Sequence, residues 1–401
     1  QTASLPTGGI TVYLRAGSYP RTETFELNQQ DSGTADSPIV YRNYQSEKVS
    51  FTGGVRLKAS DFQRVQDPLV LQKLPEEGRQ HVLMANLKNL GIVNYGTLYQ
   101  HGFSSPIQEA PLELFVDGQP MTLARWPNEG TVKIGTIIDR GSNPREGDMS
   151  NRGGSFRFDF DRASRWTQAG DIWLNGIFSY GYADDNLKVA QIDLKKKEMK
   201  LVQPHIYSLM GPDEKTGGQH LRSYYAYNLL EEIDVQGEYF VDRDTGILYF
   251  WPASEMSGRE IVVSVFEKPL VALENVSHTV IDGLTFENAR GMAVYLEEGE
   301  GNRLRGCTFR NLGTVAVCMG KGVEGPQGPV HEFTGNPAAR KIGNVSAQGY
   351  QNNAWNRLAG KNHVIENCLI YNTGTGGIIL DGGDRKTLVP GNNAVLGCHF
   401  H

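Results

Sequence analysis

Charge is scarce in this chain: Asp, Glu, Lys and Arg make up only 21% of its 401 residues, with a slightly acidic balance of −6. Proteins that grip a phosphate backbone carry a basic stripe. Here the only basic run is Lys195 to Lys197, and Asp193 before it and Glu198 after it mark a solvated hairpin tip. No nucleic-acid partner is expected. Long apolar runs are missing as well, so no membrane span is expected. The opening residues, QTASLPTGGITVYLRAGSY, have neither the charged nor the apolar region of a signal peptide. Cysteine is down to four, none with the neighbouring Cys or His that a structural zinc site needs, and neither a metal nor another cofactor is expected.

What the chain does have is glycine, 47 residues of it, beside runs of β-branched and aromatic residues. That composition favours many short strands joined by turns. The length exceeds one ordinary core, so two domains or an elongated repeat are expected. Both apply.

Four segments align without gaps: VIDGLTFEN ending at Asn288, RLRGCTFRN at Asn311, VIENCLIYN at Asn372 and AVLGCHFH at His401. Two residues before the Asn of the first three segments stand Phe286, Phe309 and Ile370, aligned with Phe400 of the fourth. Four before it stand Leu284, Cys307 and Cys368, aligned with Cys398, and seven before it Ile281, Leu304 and Ile365, aligned with Val395. These are inward files alternating with polar neighbours at the strand period. The interval from Asn288 to Asn311 is 23 residues, room for three short strands and three bends. Stacked Asn side chains at a bend can bond along the ladder. The expected fold is all-β: a right-handed parallel β-helix, a pectate-lyase-like solenoid.

A second strand follows each Asn: GMAVYLEEG, GTVAVCMGKG and GGIILDGGD. Its outward file holds Glu297, Gly320 and Asp381. From Asn311 to Asn372 the interval grows to 61 residues, an excursion rich in Gly, Asn and Pro. Residues 1–56 read as the first solenoid coils, 57–259 as an inserted antiparallel β-sandwich, and 260–401 as the returning solenoid. The insertion is marked by hairpin chemistry, Asp117-Gly118 and Asp244-Thr245-Gly246 between alternating strands, and by period-two stretches such as FRFDFDRASRW and the one around DIWLNGIFSYGY. AVLGCHFH ends inside an apparent strand without a cap, so a longer parent protein is expected. Side chains on adjacent rungs run parallel at about 4.8 Å, poor geometry for a disulfide, so the four cysteines are expected to be free.

Glycoside hydrolysis needs two carboxyl groups, roughly 5 to 5.5 Å apart for retention and 6.5 to 9.5 Å for inversion. Glu297 and Asp381 lie in one outward file, and two rungs would separate them by roughly 9 to 10 Å. Asp384 follows in DGGDRKTL, whose glycines let backbone approach a sugar closely. Asp381 and Asp384 are the candidate catalytic acids. Arg385, Lys386, His399, His401, Trp355 and Glu297 are the candidate substrate contacts, with Tyr295 and Trp126 as further rings. The plainer reading of each acid is a solvated turn residue. His399 and His401 share a strand face but have no identifiable third ligand for a metal. A polysaccharide lyase would need a cluster of basic residues in the outward file, which is not evident. A non-catalytic glycan-binding β-helix is the third reading.

YLRAGSY, SGTADSPIVYRNY, LFVDGQPMTLARWPN, GEYFVDRDTGILYFWP and DGGDRKTLVPGNN before a CHFH strand, in this order, resemble glycoside hydrolase family 141 over nearly the whole chain. The resemblance implies a β-helix with an inserted β-sandwich that hydrolyses plant cell-wall glycans, pectic or hemicellulosic, as an α-L-fucosidase or xylanase. It also implies catalytic aspartates on coils beyond the end of this chain, with Gly382 to Thr387 and Cys398 to His401 bordering the groove. The expected partner is an oligosaccharide or polysaccharide, and the expected location is secreted, periplasmic or cell-surface.

Overall fold

A computed structural model of the chain describes residues 5–324, 336–345 and 357–401. Three parallel sheets wind into a β-helix. The first runs through Ile10–Leu14, Ile39–Asn43, Thr279–Asp282, Arg303–Arg305, Val364–Glu366 and Ala394–Leu396. The second stacks Gly17–Pro20, Val49–Thr52, Thr285–Ala289, Thr308–Leu312, Leu369–Thr373 and His399–Phe400. The third stacks Phe25–Leu27, Val271–Glu274, Val294–Glu297, Val315–Met319 and Gly376–Ile379.

Register explains the repeat. Tyr19, Phe51, Phe286, Phe309, Ile370 and Phe400 are cross-strand partners in one inward file. Their rings stack along the axis, with Phe286 and Phe309 centroids 5.2 Å apart and nearly parallel. Burying each such ring contributes about 1.5–3 kcal/mol, so a rung keeps its aromatic or replaces it with another bulky apolar group.

Asn288, Asn311 and Asn372 sit at φ of 56°, 54° and 50°, left-handed backbone that Asn tolerates better than most residues. Asn372 Nδ2 donates to Asn311 Oδ1 at 3.2 Å, and Asn311 Nδ2 donates to Asn288 Oδ1 at 3.2 Å. The carboxamide ladder thus settles both the turn conformation and the polar atoms it buries. The four cysteines are free thiols. Cys368 and Cys398 stack at one corner, the Cys368 N–H donating to Cys398 Sγ at 3.5 Å.

Two adjacent antiparallel strands carry the chain out of the solenoid and back, Gly54–Leu57 pairing with Ile261–Ser264. Between them lies antiparallel β structure, as expected, but in more than one layer pair. The exit and return strands belong to a four-stranded sheet with Leu114–Val116 and Gln119–Pro120. That sheet packs on a five-stranded one around Leu57, Leu114, Ile261, Val263, Tyr239, Val241, Leu248 and Phe250. An eight-stranded sheet adds a second core around Phe156, Trp166, Phe178 and Tyr224. Hairpin signals reveal strands but not how many sheets share them, so this second core was not foreseen. Asp117-Gly118 turns with φ of 49° and 74°, and Lys195 to Lys197 occupy a hairpin tip whose amides bond to the Asp193 carboxylate. The longest α-helix among the described residues is Pro68–Lys73.

Candidate functional site

The outward file of the third sheet is as the spacing implied. Glu274 pairs in register with Glu297, and the same register carries on through Gly320 to Asp381. Its acids do not face an open groove, however. Arg340 grips Glu274 at 2.6 Å, Lys321 Nζ lies 3.2 Å from Glu297, and Arg357 Nη1 lies 2.8 Å from Asp381 Oδ2. All three cations come from the excursion, which the acid file fastens to the sheet. Beneath it the other outward file is sealed: Ala272, Tyr295 and Cys318 pack with Ile342 and Met292. Tyr295 is buried and donates to Glu297 at 2.6 Å, so its ring is not offered to a sugar. Burial also pushes the Cys318 thiol up to about 11.

Asp384 closes a turn. Its Oδ1 accepts from the Lys386 N–H at 2.8 Å, which with the Thr387 hydroxyl and amide holds the carboxyl below the ordinary range. Arg385 and Lys386 are exposed on that loop. His399 and His401 lie elsewhere, on the outer face of the second sheet, where His401 stacks on Tyr371 at 4.8 Å and meets His399 edge-on at 5.2 Å. The two acids belong to the bend between the third and first sheets. The residues singled out from the sequence therefore occupy separate corners of the coil. Trp355 lies outside the described residues. Trp126 packs on Phe160 and Trp166 in the insertion.

A cleft of about 770 Å³ opens instead at the seam where the insertion meets the Asn-marked bends, with Gly313, Gly374 and Thr375 on its solenoid side. Its far wall is one face of the eight-stranded sheet. Tyr225, Asn175 and Asn186 are partners in one cross-strand row. Alternation sends Tyr224, Ala226, Leu174 and Leu187 to the core behind, leaving Tyr225, Tyr227 and the two amides on the cleft side.

The row is braced by hydrogen bonds. Asn175 Nδ2 and the Tyr227 hydroxyl each donate to Asn186 Oδ1 at 3.0 Å, and Asn186 Nδ2 donates to the His101 carbonyl at 2.9 Å. Behind it, buried Asp185 accepts from Gln100 Nε2 at 2.9 Å, and desolvation raises its carboxyl well above the usual range. Gly102 crosses this strand so closely that a Cβ would lie 2.5 Å from the Asp184 carbonyl oxygen, which only glycine permits.

Among the described residues two carboxyl groups line the cleft. Asp184 is exposed. Glu113 keeps some surface toward the opening, yet loss of water pushes its carboxyl up to about 7, and burial is the sole cause. Desolvation pushes the His101 imidazole down, toward neutrality. The sequence reading missed all of these. The available signal was the alternation in SYYAY and DIWLNGI, which marks Tyr225, Tyr227 and Asn175 as one side of two strands.

Comparison with known proteins places the fold. The family described as "Right handed beta helix region" matches residues 269–401. A solved structure described as "Glycoside hydrolase" is similar over 92% of this chain and 66% of its own, with TM-score 0.59 and 16% identity. Another, described as "The complex structure of XylC with xylose", aligns with all of this chain and 52% of its own at TM-score 0.40 and 11% identity. The chain thus spans about two thirds of the first and about half of the second. Among curated proteins none matches it in sequence.

Proposed function

We propose that this protein binds and hydrolyses a glycan, and that the seam cleft holds the sugar chain. The observation that carries this reading is the row in which the Tyr225 ring stands beside the Asn175 and Asn186 carboxamides on one rigid sheet face. Aromatic rings stack on the apolar faces of pyranoses, and fixed amides bond to their hydroxyls. A volume of 770 Å³ suits a few sugar units.

Hydrolysis requires one protonated and one ionised carboxyl. Glu113, whose carboxyl burial pushes up to about 7, and exposed Asp184 are the pair we assign to this role, being the two carboxyl groups among the described lining residues of the cleft. Asp381 and Asp384 are the alternative pair on the solenoid. Asp384, held low by turn amides, suits a base better than an acid, and Asp381 is tied to Arg357. Following the family resemblance, the substrate is a plant cell-wall polysaccharide, the activity that of an α-L-fucosidase or xylanase, and the protein acts outside the cytoplasm.

The test is to incubate the protein with an aryl α-L-fucoside, xylan and pectic fractions, following reducing sugar and the ultraviolet absorbance of unsaturated uronide. Reducing sugar without unsaturated product supports hydrolysis. A rise in unsaturated product would replace it with lyase chemistry, and binding without turnover with a glycan-binding role.

A further inference from the structure

We propose that the seam cleft takes an uncharged stretch of glycan and turns away polyuronate, with Glu113 as the residue that sets this preference. The inference rests on the reading of the cleft as a glycan site.

Charge within the cleft is unevenly supplied. Among the described lining residues the only Lys or Arg is Arg125. Its guanidinium lies 3.6 Å over the Tyr225 ring, Nε donates to the Pro127 carbonyl at 2.9 Å, and Nη2 donates to the Gly130 carbonyl at 2.6 Å. It is thus held in a fixed position on a tyrosine face. Against this single cation stand two carboxyl groups, Asp184 and Glu113. Desolvation lowers the affinity of the His101 imidazole for a proton, which weakens it as a second cation.

A uronate carboxylate entering here would meet two acids and one cation, whose guanidinium already lies on a ring and gives two of its five N–H donors to backbone carbonyls. Recognition of a uronate calls for the reverse, a free guanidinium able to offer paired donors. A neutral sugar fits what is present. Protonated Glu113 can both donate to and accept from a hydroxyl, and Tyr225 brings to the cleft the part of its ring that Arg125 does not cover. Ionisation of Glu113 above about 7 brings the formal sum for Arg125, Asp184 and Glu113 from zero to −1, so rejection of an anionic chain grows with pH.

The experiment compares oligogalacturonate with its fully methyl-esterified form, which differs in charge but keeps the sugar. A xylo-oligosaccharide serves as the neutral reference. Binding is measured by titration calorimetry one pH unit below and one above the Glu113 value. The ester should bind at least about tenfold tighter than the free acid at the higher pH, a gap of about 1.4 kcal/mol. The gap should narrow at the lower pH. Glu113→Gln should remove that pH dependence and hold the gap at its smaller, low-pH size.

Free acid binding as tightly as the ester at both values would overturn the proposal, as would an unchanged pH dependence in Glu113→Gln. Tyr225→Ala separates the two readings. If none of the three glycans binds, or if Tyr225→Ala leaves their binding intact, the assignment of the cleft as a glycan site fails and takes this inference with it. If binding is lost in Tyr225→Ala but the charge preference is absent, only the inference fails.

Discussion

The solenoid and the insertion solve the same problem, burying strands that are polar on one side, by opposite means. In the solenoid every rung meets a copy of itself, so Phe286 stacks on Phe309 and Asn311 bonds to Asn288. In the insertion unlike partners meet: Tyr225 is set beside Asn175, and Trp173 beside Lys188. Self-stacking satisfies each side chain with its neighbour and leaves little over for a ligand. Unlike pairing leaves a row of rings and amides with free edges, which is where the cleft forms.

That contrast can be attacked directly. The greatest loss should come from Phe309→Ala, which opens a cavity in the middle of the stack and should cost about 3–5 kcal/mol in denaturant unfolding. A loss under about 1 kcal/mol would mean the stack relaxes around the gap, contrary to self-templated packing.

Next comes a pH effect confined to the insertion. Buried Glu238 accepts N–H groups from Arg125, Asp234 and Val235, yet desolvation outweighs them and pushes it up to about 7 from 4.5. Folding then favours the protonated form. The stability linked to this group is complete below about 4.5 and lost as pH rises through about 7. The stability difference between wild type and Glu238→Gln should therefore shift by up to roughly 3 kcal/mol across that window, toward the variant at high pH. Parallel pH curves from thermal unfolding would show Glu238 to be solvated after all.

The ladder should respond more modestly. Asn311→Gly keeps the left-handed bend but deletes two carboxamide links, for a loss of about 1–3 kcal/mol, and Asn311→Ala should lose more because φ of 54° strains alanine. Equal losses would show that the ladder's hydrogen bonds, not its backbone conformation, decide the turn. Smallest in stability, about 1 kcal/mol for the lost Arg125 contact, should be Tyr225→Ala on the cleft wall, with glycan affinity falling about tenfold or more.

The same contrast explains what could be read from the chain. Phe286, Phe309 and Ile370 announce the solenoid because an inward file repeats its chemistry wherever the coil returns. The outward file of Glu297 and Asp381 was legible for the same reason. Its meaning was not, because Lys321, Arg340 and Arg357 arrive from an excursion whose landing place has no local signature. The cleft was further out of reach. Alternation identifies which residues share a face of one strand, but the meeting of Tyr225 with Asn175 and of Asn175 with Asn186 depends on register between distant segments, which no local period encodes.

The paired exit and return strands have one more implication. Because Gly54 and Ser264 face each other across an antiparallel ladder, the two ends of the insertion lie about 5 Å apart. A tight turn would close that distance. The chain thus leaves and re-enters the coil at a single doorway, and a module grafted there would also have to supply the bonds that Ile107, Ala110 and Gly118 make to Gly343, Arg290 and Asn311.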